Sequence, residues 1–173
     1  VDPSVWERLP GGAEMVEALA AGRSPRAWWN ALPGSDPARL VAHAVLATVA
    51  SGRGAIVCVP DQRDVERWRS TFAEVLGADA FVVLTAGQEP ADRWRSFLAA
   101  SRGAVPVVLG TRAAAYAPVA DLGLLVLWDD GDDLFEEPRA PYPHTREVML
   151  LRASREACAL LVGGFARTAE GQS

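Results

Sequence analysis

Apolar residues in this chain fall into two alternating patterns. Unbroken aliphatic runs occur at 55–59, 80–84, 105–109, 124–127 and 157–162. Between them lie longer stretches at 37–51, 62–76, 90–101 and 145–155, where apolar positions recur every three or four residues. Short continuous runs suit strands buried on both faces, and the three-to-four spacing suits amphipathic helices. A first strand is expected at 26–32, with Trp28 and Trp29, and a short element at 111–115. A helix at 13–21, closed by Gly22, is expected inside a lead-in that covers residues 1–25 and begins as a proline- and glycine-containing linker. Strands alternating with helices at this spacing predict an α/β fold, a mainly parallel sheet with helices on both faces.

The run 124–127 should be the central strand. It passes through Trp128 into Asp129, Asp130, Gly131, Asp132 and Asp133. In open α/β sheets ligands bind beyond the carboxyl ends of strands, so the acidic cluster lies where chemistry is expected. It reads either as a divalent-cation site or as a solvated acidic loop, and the loop is the preferred reading. A receiver-type site also needs a later lysine, and the chain has none.

The turn at Gly34, Ser35, Asp36 and Pro37 opens the helix at 37–51. A strand, a tight glycine turn and a helix is the setting of a phosphate-binding loop. That loop, G-x-x-x-x-G-K-[ST], needs glycines for close backbone approach, a lysine for the β/γ-phosphates and a hydroxyl for magnesium. Laid on residues 31–38, the pattern meets Ala31 and Asp36 for glycine, Pro37 for lysine and Ala38 for the hydroxyl. Asp36 adds negative charge and Pro37 removes an amide donor. The turn reads as an ordinary helix start, with Asp36 as N-cap and Pro37 in the first turn.

Composition narrows the partners. The net charge is −5, and all 17 basic residues are arginine, so no global basic field draws the chain to nucleic acid. Cys58 and Cys158 sit in aliphatic runs and read as buried thiols of a reduced, cytoplasmic protein. No Cys/His spacing suggests zinc, and no run is long enough to span a bilayer. The missing initial Met and the abrupt end suggest a fragment of a longer chain.

The order of segments from Arg26 onward resembles the first motor lobe of the PriA replication-restart helicases, a family of superfamily 2 DNA helicases. Val59-Pro60-Asp61 matches the family's V-P-E. Gly110-Thr111-Arg112-Ala113 with Pro118 matches its G-T-R-[SA]-A…P, and residues 123–127 match the strand before its D-E-E-H box. His144, Arg146 and Leu151-Arg152-Ala153 resemble the helix that follows. The resemblance implies a RecA-like (P-loop NTPase-type) lobe over 26–173, and DNA-backbone contact at Thr111 and Arg112.

The departures matter as much. Trp128-Asp129-Asp130-Gly131 stands at the D-E-E-H box, so the magnesium-holding aspartate is a tryptophan and the water-activating glutamate a shorter aspartate. Gly163-Gly164-Phe165-Ala166-Arg167 stands where the family has G-S-A-T-P. With the turn at 31–38, three coupled motifs depart, as in the degenerate PriA proteins of high-GC bacteria.

These observations define the expectations. The domain is a degenerate helicase lobe, a scaffold for fork DNA and primosome assembly rather than an enzyme, with ATP and magnesium not bound. Its degenerate nucleotide site comprises Gly34, Ser35, Asp36, Pro37, Ala38, Trp128, Asp129 and Asp130. Nucleic-acid candidates are Thr111, Arg112 and Arg63, although Arg63 lies among Asp64, Glu66, Arg67 and Arg69 and suits a mixed-charge surface. The partners are forked or single-stranded DNA and other primosome proteins, with no membrane. The alternatives are an active helicase lobe with a non-standard nucleotide site, or a metal-binding regulatory domain built on Asp129 to Asp133. Trp68 and Trp94 are expected as core anchors of their helices. His43 is expected to be structural, and His144 carries no assigned chemistry.

Overall fold

The computed structural model of the chain describes residues 3–135 and 143–165. In chain order the elements are α1 (Gly12–Ala20), β1 (Arg26–Asn30), α2 (Pro37–Ala50), β2 (Gly54–Cys58), α3 (Gln62–Leu76), β3 (Phe81–Leu84) and α4 (Pro90–Ser101). There follow β4 (Val107–Gly110), a 3-10 turn at Arg112–Tyr116, β5 (Leu122–Trp128), α5 (Thr145–Arg155) and β6 (Ala159–Gly164). Among the described residues six strands form one sheet in the order β1-β6-β5-β2-β4-β3, and every pairing is parallel.

Strand periodicity explains the two cores. Leu124, Val126 and Trp128 point to one face of β5, against α1, α2 and α3. Leu125 and Leu127 point to the other, with Met149 and Ala153 of α5. Every residue of β5 is buried, as expected of a central strand with helices on both faces. Both thiols, Cys58 and Cys158, are free and buried. No helix among the described residues is long and apolar enough to cross a membrane.

Local chemistry moves several boundaries. The strand expected at 105–109 begins at Val107, after Pro106, which has no N–H for a ladder. The strand expected at 157–162 begins at Ala159, because Ala157 turns out of α5 with φ 49°. It then continues through Gly163 and Gly164.

Two expectations need correction. The lead-in is not a free linker. Trp6 is 2% exposed, its indole N–H donates to Leu40 O at 2.9 Å, and its ring centroid is 5.3 Å from that of Trp29. Proline and glycine content signals turns, but one large aromatic is enough to dock a loop. Trp94 is not a core anchor either. It is 60% exposed and stacks on Phe97 at 5.8 Å with planes 7° apart. Of all α4 only Ala100 is buried, because this helix flanks the sheet beside edge strand β3.

If the lead-in belongs to the same cooperative unit, Trp6→Ala should lower unfolding stability by about 3–5 kcal/mol in one transition. Urea unfolding followed by fluorescence and by circular dichroism checks this; two separate transitions would mark the lead-in as an appendage.

Candidate functional site

Because every strand runs the same way, all strand carboxyl ends meet at one edge of the sheet. That edge collects the turn after β1, Asp61, the loop after β3, Thr111 to Tyr116, and Asp129 to Asp133.

At the β1–α2 turn, Gly34 takes φ 78° and the Ser35 hydroxyl donates to Leu32 O at 2.7 Å. Asp36 caps α2: its carboxylate accepts the Arg39 amide at 3.1 Å, and its backbone carbonyl accepts the Leu40 amide. Pro37 is the first helical residue, and Ala38 is buried. Arg39 also donates to Glu74 at 2.8 Å. A first-turn amide that a phosphate would use is thus already taken by the protein's own carboxylate. A cavity of about 450 Å³ lies beside the turn, lined partly by Arg8, Leu32, Gly34 and Asp36.

Trp128 occupies the end of β5 and is 5% exposed. Trp29 on β1 and Trp128 on β5 both pair with Gly163 on β6, the strand between them. With no side chain at Gly163, the two indoles close over it with centroids 5.1 Å apart. A Cβ there would collide with the Trp29 ring and press within 3.2 Å of Trp128. Trp68 of α3 lies 5.7 Å from Trp128, and Phe165 meets it edge-on at 5.4 Å. Sequence reasoning missed this assembly, though Gly163 two strands' width from two tryptophans was the available signal.

The acidic cluster divides into separate roles. Asp130 is 3% exposed and forms an ion pair with Arg146 of α5 at 3.1 Å, which ties the end of β5 to that helix. Asp132 accepts the Leu134 amide at 2.8 Å. Asp129 sits at φ 61°, its amide donating to Gly163 O, and is half-buried. Burial first, then Asp132, Asp64 and Asp130, push its carboxyl above the ordinary aspartate value. Asp64 is raised the same way, by burial and by Asp61. Among the described residues no group of three or more His, Cys, Asp or Glu side chains is placed to hold a metal ion.

Thr111 and Arg112 stand together at the end of β4, between two cavities that share Ala86 and Thr111. Arg63 is exposed on the first turn of α3 and lines neither. Thr85 enters instead, a residue sequence reading passed over. Its amide donates to the Gln88 side chain at 2.9 Å, and Gln88 in turn donates to Val83 O at 2.9 Å.

A parallel sheet of this order, with loops converging at its carboxyl edge, defines a RecA-like helicase domain. A hypothetical ATP-dependent RNA helicase from Sulfolobus tokodaii superposes with a TM-score of 0.66 at 11% identity, over 92% of this chain and 46% of that one. The C-terminal domain of S. cerevisiae Dbp5 gives a TM-score of 0.62 at 13% identity, over 83% of this chain and 78% of that one. No family profile matches the chain. Its sequence nevertheless aligns over its full length with the probable replication restart proteins PriA of Mycobacterium leprae, at 47% identity, and Mycobacterium tuberculosis, at 46%. The chain belongs to the PriA replication-restart family, and it spans about a quarter of the length of these relatives (27% and 26%).

Two substitutions probe the site's physics. Trp128→Ala should cost about 3–5 kcal/mol in chemical denaturation, and Trp128→Asp, the family's residue, at least as much, since a carboxylate would lie among rings. For Asp129 the sign follows from its raised carboxyl. The folded state binds the proton more tightly, so the charge destabilises above the raised value, and this cost fades as pH falls toward the ordinary value of about 4. Asp129→Asn should therefore raise the melting temperature at pH 7 and lose that advantage near pH 4. A gain that grew on acidification would contradict this electrostatic reading.

Proposed function

We propose that this domain is a degenerate helicase lobe that serves a replication-restart protein as a scaffold, without an ATP-driven motor of its own. The observation that carries the reading is Trp128. Where the family's box has a magnesium-holding aspartate, the chain has an indole packed between Trp29 and Trp68. An indole offers no oxygen to a cation. At the turn, Asp36 already accepts the Arg39 amide, and Pro37 has no amide to give. Losing two charge-assisted contacts, at roughly 1.5–3 kcal/mol each, weakens triphosphate binding by about two to four decades. Neither ATP nor magnesium is then a cofactor of this lobe, and its partners are single-stranded or forked DNA and other primosome proteins. DNA contact is weak, micromolar or poorer, and salt-sensitive, as expected of phosphate contacts on an acidic domain.

One observation favours the rival, an active lobe with a non-standard nucleotide site. Asp129, at the position of the water-activating glutamate, is only half-buried and has a raised carboxyl. Calorimetry of the chain with magnesium and ATP separates the two, followed by ATPase assays of the longer protein on forked DNA. The scaffold reading expects no heat of binding up to millimolar ATP. Micromolar affinity, or DNA-stimulated turnover abolished by Asp129→Ala, would falsify it.

A further inference from the structure

The carboxyl edge of the sheet is divided by charge. The half around β5 and α3 carries Asp61, Asp64, Asp129 and Asp132, whose carboxylates influence one another. The half around β3 and β4 carries three adjoining cavities of about 330, 450 and 260 Å³. The first meets the third at Ala113, and the second meets the third at Ala86 and Thr111. Among the described residues no carboxylate lines any of them, although the chain carries 22 acidic residues against 17 basic. Arg93 lines the first and Arg112 the third.

Aromatic rings flank this acid-free strip on both sides. Trp94 borders the first cavity and Tyr116 the third, and each is 60% exposed. The Trp94 ring lies nearly parallel to Phe97, so Phe97 backs it as one flat platform. Between the two rings, the Thr85 hydroxyl in the middle cavity is buried without a hydrogen-bond partner among the described residues, in a residue 2% exposed. An apolar protein segment would leave that hydroxyl and the arginines desolvated and unmatched. A polyanion with flat apolar bases satisfies both features, because phosphates meet arginine and hydroxyl while bases stack on rings.

We propose that Trp94 and Tyr116 are base-stacking stations on either side of the Thr111–Arg112 segment, and that unpaired nucleotides of single-stranded DNA run between them. This rests on the DNA-binding reading above and extends it from phosphate contact to base contact. Stacking accepts any base, so the strip binds single strands without sequence preference. Duplex DNA, whose bases are already stacked, does not engage the rings.

The test is a fluorescence-anisotropy titration of the chain with a labelled 15-nucleotide oligothymidylate at low salt. Trp94→Ala should weaken binding roughly tenfold, Tyr116→Ala should act in the same direction, and Trp94→Phe should retain most of the affinity. The slope of affinity against salt should not change with Trp94→Ala, since no phosphate contact is lost. On an abasic oligomer of equal length, wild type and Trp94→Ala should bind equally. Undiminished binding by Trp94→Ala, or a defect of the same size on the abasic oligomer, overturns the stacking assignment and leaves DNA binding standing. No binding of oligothymidylate by the wild-type chain at any salt overturns both. Self-association in sedimentation that Trp94→Ala abolishes assigns the platform to a protein contact and also overturns it.

Discussion

The contact of Trp29 and Trp128 across Gly163 is the constraint on which this end of the domain depends. The three residues lie in one register row of β1, β6 and β5, and only a glycine in the middle lets two indoles meet above the sheet. From that pair the ring contacts extend to Trp6 in the lead-in and to Trp68 and Phe72 on α3. One aromatic layer therefore joins the lead-in, an edge strand, the central strand and a covering helix. In a RecA-like sheet this is the region beside the phosphate-binding turn, so its packing bears directly on what that turn can accommodate.

The basic residues make the complementary point. In a chain without lysine, arginine forks serve as internal ties. Arg53 donates to the carbonyls of Gly22, Leu122 and Ala157, joining the segments that enter β1, β5 and β6. Arg152 reaches Ala115 O and Ala117 O and pairs with Glu156, which holds the turn after β4 against α5. Arg146 neutralises buried Asp130. A planar guanidinium with five donors satisfies several acceptors at once, which an ammonium on a flexible stem does less well. These arginines are structural, and they are unavailable to a polyanion. The positive charge that remains accessible is therefore local, and the strip around Thr111 matters because carboxylates are absent from it.

Much of the architecture was legible in the sequence. Continuous aliphatic runs separated by amphipathic stretches force a parallel sheet covered on both faces, and the run at 124–127 could only be central. Asp36 and Asp61 as N-caps follow from local chemistry, because a short carboxylate reaches an amide three residues on. The failure of residues 31–38 to match a phosphate loop was also plain, since that motif is a local pattern of backbone and side-chain requirements.

What only the tertiary structure decided concerns residues distant in sequence. Nothing local tells Trp68 from Trp94; both sit on helices with apolar spacing, yet one faces the sheet beneath α3 and the other lies on a helix beside the sheet's edge. Nothing local pairs Asp130 with Arg146, separates it from Asp129, or brings Trp6 onto Trp29. The sequence by itself determined which segments are strands, helices and caps, because those depend on neighbours within a few residues. Which rings are buried, which carboxylates are paired and which face of the edge is free of acid depend on strand order, and strand order is settled only when the whole sheet packs.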